Sequence, residues 1–130
     1  MVAGCSAEEI ARVEAVLGLR LPPAYRGFLA VMGKAAGPLY LGDTFLYPTE
    51  IDVREDAALL AERHGWTLPE DAVVFAMHGG WEFDFIRASE GDDPPVYHYV
   101  EGEPGPLRVC DHFTECISRA VEEQRERGWR

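Results

Sequence analysis

Hydrophobic residues recur at helical spacing through the first third of the chain and alternate with polar ones near its centre. Ile10, Val13, Val16 and Leu17 make one apolar stripe. Ser6 stands before the stripe and Glu9 three residues further on. In that arrangement each side chain satisfies the other residue's unpaired backbone N–H, so a helix is predicted to start there. Gly18 is placed to close it in the left-handed conformation. The next stretch is Leu19-Arg20-Leu21-Pro22-Pro23. Proline is tolerated in a first helical turn, where its missing N–H had no partner to lose. A second helix is therefore predicted from about Pro23 to Met32, with Tyr25, Phe28, Leu29 and Met32 on one face and Gly33 as its stop.

The pattern then loosens. Gly37-Pro38-Leu39-Tyr40-Leu41-Gly42 reads as a loop and a short strand that Phe45, Leu46 and Tyr47 continue. Asp52, with Glu55 completing a second capping box, predicts a third helix with a stripe of Ala57, Leu60 and Ala61 and an end at Gly65. From Ala72 the period becomes extended, and Val73 to Ala76 read as a buried strand. His78-Gly79-Gly80 is a turn in which a positive φ is needed before Trp81. Across Trp81 to Arg87, Trp81, Phe83 and Phe85 face one way and Glu82 and Asp84 the other, the alternation of a half-buried strand. Ser89 to Pro95 is a polar turn, Val96 to Val100 a strand, Glu101 to Pro106 a second turn and Leu107 to Val109 a last short strand. Short turns between strands predict an antiparallel meander. Asp111 is the expected cap of a closing helix with the stripe Phe113, Cys116, Ile117, Ala120 and Val121, and the polar tail from Glu122 to Arg130 is expected to fray. The predicted class is α+β: a mainly antiparallel sheet with an N-terminal helix pair, a middle helix and a C-terminal helix packed on it.

With 130 residues the chain fits one domain, residues 1–130, and has no room for two cores. Its 23 acidic and 12 basic residues give a formal net charge of -11. Phosphate contacts need clustered Lys and Arg, so the balance excludes direct nucleic-acid binding as an expectation and disfavours an anionic membrane surface. A basic partner is favoured, because complementary charge speeds encounter; the competing reading is that acidity only keeps the protein in solution. Three cysteines, Cys5, Cys110 and Cys116, suit a reducing compartment and offer no disulfide framework. No basic-then-apolar leader and no long apolar run is seen, so a cytoplasmic protein is expected.

Catalytic chemistry finds little support. Cys110 and Cys116 lie in apolar patterns and read as small buried hydrophobes rather than as activated thiols. His64, His78, His98 and His112 are isolated, without metal-ligand spacing, so no metal or cofactor is expected. Gly79-Gly80 lacks the further glycines, lysine and following helix of a phosphate loop. Glu82 and Asp84 neighbour one another on a strand face, but read as a solvated surface before they read as an acid–base pair.

The chain does resemble a known family. Val13 to Met32, VEAVLGLRLPPAYRGFLAVM, is similar to the N-terminal part of the SUKH superfamily, which includes the Smi–Knr group, in Leu17-Gly18, Leu21-Pro22, Tyr25 and Phe28-Leu29. Pro95-Val96-Tyr97-His98-Tyr99 resembles the family's late strand, and Val109 to Ile117 its short strand and closing helix. Met32-Gly33 departs from the Asn-Gly often found after the second helix, and residues 44–66 match only as loop and helix. The resemblance implies helices on a mainly antiparallel sheet and a binding role without catalytic machinery. Bacterial members are typically immunity proteins that neutralise a toxin, often a nuclease. The matching residues define the fold and carry no functional site across.

The binding surface has to come from charge. Residues 82–103 hold seven acids against the single base Arg87, a local net of -6. Such a patch is able to mimic a phosphate backbone and fill the basic cleft of a nuclease. The expected partner-binding residues are Glu82, Asp84, Asp92, Asp93, Glu101 and Glu103, flanked by Tyr97 and Tyr99. The tyrosines lie on the strand face opposite Val96, His98 and Val100. In a two-layer fold both faces cannot be equally deep, and exposed tyrosines would anchor an interface. The expected function is that of a non-enzymatic immunity protein binding a basic toxin domain. The alternatives are a regulatory or scaffolding domain for a host protein or peptide and, third, a small hydrolase.

Overall fold

The structure is a computed structural model that describes residues 2–32, 35–36, 49–78 and 80–126. The expected loop and strand over residues 37–47, Gly33 as a helix stop and Gly79 in its turn lie outside the described residues.

Helix α1 spans Ala7–Leu17. Its start is the reciprocal box read from the sequence: Ser6 Oγ accepts from the Glu9 N–H at 3.2 Å, and Glu9 Oε1 accepts from the Ser6 N–H at 2.9 Å. Gly18 ends it at φ 69°. Val13 is buried with Ile10 and Leu17 against it, whereas Val16 turns outward at 55% exposure. Glu14 Oε2 then accepts from the Leu21 N–H at 2.7 Å and pins the connection to α2, Pro23–Met32. Tyr25 and Leu29 of α2 are buried. A short antiparallel pair, β1 (Val2–Ala3) with β2 (Ala35–Ala36), passes beside α2, and the sequence pattern did not signal it. Gly4 makes the close approach possible, since a Cβ there would lie 1.8 Å from the Ala30 carbonyl oxygen.

Helix α3 is Thr49–Arg63, so Asp52 falls inside the first turn and is not the cap that the sequence predicts. The physical reason is that an acidic residue suits the whole first turn, where it opposes the helix dipole, and does not mark the cap alone. Arg54 ties α3 to the sheet by donating to the carbonyls of Pro69, Glu70 and Ala72. Four antiparallel strands follow in spatial order: β3 (Ala72–His78), β4 (Glu82–Arg87), β5 (Val96–Val100) and β6 (Leu107–Cys110). The last helix, α4, is Phe113–Glu126, so the tail is helical further than expected and residues 127–130 lie outside the described residues. Among the described residues no helix is long and apolar enough to cross a membrane.

The sheet is buried on both faces, against the two-layer expectation. One face carries Val74, Met77, Phe83, Phe85 and Tyr99, covered by Val53, Ala57, Leu60 and Ala61 of α3. The other carries Val73, Phe75, Ile86 and Val96, covered by Val13, Tyr25, Leu29 and Phe113. There Phe113 meets Tyr25 and Phe75 edge-on, each with ring centroids 5.3 Å apart. A bulge in β3 between Val74 and Ala76 lets Phe75 and Ala76 face the same side, which places Ala76 opposite Asp84.

Two further expectations are corrected where α4 begins. Cys110 and Cys116 form a disulfide with Cα atoms 5.8 Å apart, so neither is a simple buried thiol. The strand end and the first helical turn bring the pair within reach, a proximity that an odd cysteine count cannot reveal. Asp111 does not cap α4. Asp93, from the β4–β5 turn, accepts the Thr114 N–H on Oδ1 at 3.0 Å and the Thr114 hydroxyl on Oδ2 at 2.5 Å. Its carbonyl oxygen also lies 2.9 Å from His112 Nδ1. A residue distant in sequence thus satisfies the orphan N–H that a local aspartate was expected to take.

Candidate partner-binding site

The meander fixes where each acid goes. The β3–β4 and β5–β6 turns share one end of the sheet, and the β4–β5 turn lies at the other. A six-residue strand separates them, about 17–20 Å at the usual rise per residue. Glu82, Asp84, Glu101 and Glu103 therefore belong to one end, and Asp92 and Asp93 to the other. The acidic stretch is continuous in sequence and divided in space.

Nor are all its charges open. Asp84 pairs with His98 across β4 and β5. His98 Nδ1 lies 2.5 Å from Asp84 Oδ1 and Nε2 lies 3.0 Å from Glu82 Oε2. The hydrogen bond to Asp84 holds the His98 pKa above its ordinary value. Burial opposes that rise, and the charges of Asp84 and Glu82 add to it. In its protonated form His98, between two carboxylates, removes part of the negative field credited to this strand, and Asp84 is buried. At the far end Asp93 is committed to capping α4. The Asp92 side chain is exposed while its carbonyl oxygen accepts the Ala24 N–H at 3.0 Å.

The tyrosines part company as well. Tyr99 has 0% exposure and donates its hydroxyl to the Glu103 carbonyl oxygen at 2.9 Å. It supports the β5–β6 turn from beneath and presents nothing to a partner. Tyr97 is half-buried: its ring stacks on Phe85 at 5.3 Å between centroids, and its hydroxyl donates to Glu90 Oε2 at 3.1 Å. Burial, then the bond to Glu90, pushes the Tyr97 phenol up.

What remains open gathers at the end shared by the β3–β4 and β5–β6 turns. Trp81, expected to share the buried face of Phe83 and Phe85, precedes β4 and is 48% exposed. Its carbonyl oxygen accepts the Glu101 N–H at 2.8 Å, which joins the two turns. Glu101 and Glu103 are exposed, and among the described residues no Lys or Arg pairs with either. His64 Nε2 approaches Glu101 Oε1 at 3.5 Å. A half-exposed tryptophan at the same end as two exposed carboxylates offers both a rigid apolar anchor and a charge for a cation. The sequence signal for it was the turn itself: Trp81 follows Gly80, whose φ is 79°, and a turn residue need not keep the strand's alternation.

Cys110 and Cys116 are joined to each other, Cys5 is buried, and His112 is turned to Asp93. Among the described residues no group of three His, Cys, Asp or Glu side chains could hold a metal ion.

No curated protein matches this chain closely enough to count as a relative. A family model, described as the SMI1 / KNR4 family (SUKH-1), matches residues 4–119, from the glycine beside α2 to the second turn of α4. That span includes both helical layers and the whole four-stranded sheet, so the chain belongs to the SMI1 / KNR4 family (SUKH-1).

Proposed function

We propose that this protein is a non-enzymatic binding domain of the immunity type, which seats on a basic toxin domain and blocks it in the cytoplasm of the cell that makes both. The observation that carries the reading is the exposed Trp81, joined through its carbonyl to the turn that carries the exposed carboxylates of Glu101 and Glu103. Family membership supports it, as does the net charge of -11. Trp81 is the anchor, fitting an apolar pocket between cationic side chains of the toxin. Glu101 and Glu103 steer the approach and pair with those cations. Glu82 keeps a lesser part through its exposed edge, whereas Asp84, Asp93 and Tyr99 hold the shape.

The test begins with affinity capture of the tagged chain from its native cells and identification of the retained protein by mass spectrometry. Binding of that purified partner is then measured. Trp81→Ala should weaken it by a factor of 10 or more, roughly 1.4 kcal/mol or above, mainly through faster dissociation. The pair Glu101→Lys and Glu103→Lys should slow association, with the difference shrinking as salt rises. Glu122→Lys, exposed on α4 and outside both ends of the sheet, serves as the control. Equal affinity for all four proteins would remove this surface from consideration.

A further inference from the structure

A second, oppositely charged feature lies at the other end of the sheet. A groove of about 380 Å³ runs between the start of α2 with the connection before it and the β4–β5 turn, lined by Arg20 of the connection and Arg26 of α2 on one side and by Ser89, Gly91 and Asp92 on the other. Among the described residues the arginine ion pairs are Arg87–Asp71, Arg108–Asp111 and Arg119–Glu115; neither Arg20 nor Arg26 has one. In a chain with 23 acidic residues against 12 basic ones, two unpaired guanidinium groups in one groove need a reason. Arg26 Nε is shut off from solvent and meets no hydrogen-bond acceptor. Glu14, which also borders Arg26, is taken by the Leu21 N–H, and the Asp92 carbonyl is taken by the Ala24 N–H. Those two bonds, with the fixed φ of Pro22 and Pro23, hold the backbone that carries the arginines in one shape.

We propose that this groove is a carboxylate site, which takes an Asp or Glu side chain displayed by the protein that the domain binds. The charge supports that class of ligand. Two guanidinium groups against the Asp92 carboxylate leave one net positive charge on the lining, and Glu14 beside both arginines lowers it further, so a monoanion is the most that the groove balances. A phosphate monoester carries about -1.5 to -2 and is less well matched. A phosphate-bearing polymer would in addition face the repulsion of the whole chain. The guanidinium fork matches the two oxygens of a carboxylate. Only the owner of the carboxylate rests on the proposed binding role; the site itself does not.

The test uses the full chain and a capped amino acid, N-acetyl-glutamate N-methylamide, with inorganic phosphate and sodium chloride as comparison titrants at matched ionic strength. Two-dimensional NMR follows the arginine Nε–Hε pairs and the Gly91 amide. The expected result is a saturable shift of the Arg26 Nε–Hε and Gly91 signals with capped glutamate. Arg20→Gln and Arg26→Gln should each weaken it several-fold, and so should Arg26→Lys, which keeps the charge and loses the fork. Arg20 is exposed, so Arg20→Gln keeps the experiment decisive even where a change at Arg26 disturbs folding. A linear drift equal to that with sodium chloride, tighter binding of phosphate than of capped glutamate, or unchanged affinity in Arg20→Gln and Arg26→Lys would overturn the assignment. The probe is not the partner protein, so a negative result here leaves the Trp81 surface standing, and failure at Trp81 leaves this measurement intact.

Discussion

His98 and Asp84 face one another across β4 and β5, with imidazole Nδ1 2.5 Å from the carboxylate Oδ1 and Glu82 closing on the far nitrogen at 3.0 Å. The strand register makes this pair: directly opposed residues project to the same side of a sheet. It also changes the electrostatics of the site, because a histidine whose protonated form is favoured sits inside what the sequence presents as an acidic run.

The pH dependence follows from the direction of the shift. The His98 pKa is raised above its ordinary 6.5, chiefly by the hydrogen bond to Asp84. Its contribution to stability is therefore complete below 6.5 and is lost as pH climbs through the raised value. Asp84→Asn should bring the His98 pKa back down toward 6.5 and flatten the fall in stability over that window. Imidazole NMR titration and urea unfolding at a series of pH values check both. A His98 titration unmoved by Asp84→Asn would show that the pair is not what holds the proton.

The cap of α4 comes from another part of the chain. Asp93→Ala should cost about 1 kcal/mol, the usual loss for an N-cap carboxylate. Asp92→Ala should stay within about 0.5 kcal/mol, as expected of an exposed side chain. Urea midpoints separate the two. A larger loss at Asp92 than at Asp93 would contradict the capping geometry.

The Cys110–Cys116 disulfide closes a short loop between β6 and α4. In the chain-entropy account such a loop is worth about 2 kcal/mol. Reductant should lower the urea midpoint of the natural protein by a corresponding amount and leave a Cys110→Ala, Cys116→Ala double variant unchanged. The fold should survive, since both helical layers and their apolar cores remain. Identical midpoints with and without reductant would show that the bond adds nothing. In a reducing cytoplasm the open dithiol form is the relevant one.

Much of the fold was legible because it is written locally. The Ser6–Glu9 box, the left-handed Gly18, the α2 face through Tyr25 and Leu29, and the Phe83–Phe85 alternation each depend on residues within a turn or a strand of one another. The candidate site was less legible. The stretch 82–103 looks like one acidic patch, yet an antiparallel meander sends successive turns to opposite ends. Trp81 follows the alternation of Phe83 and Phe85 in sequence and leaves it in space, because the strand begins one residue later.

The chain by itself determined the α+β class, the order of the four helices and of the four-stranded meander, three helix faces and the overall charge, since these follow from periodicity, caps and composition. Tertiary structure alone decided which layer covers each face of the sheet, and with it that Tyr99 is buried while Trp81 stands open. It alone gave α4 its cap from Asp93, joined Cys110 to Cys116 and placed His98 between two carboxylates. The reason is physical. A helix turn or strand alternation is set by neighbours three or four positions away, whereas burial, ion pairing and cross-linking depend on which distant surfaces the packing brings together.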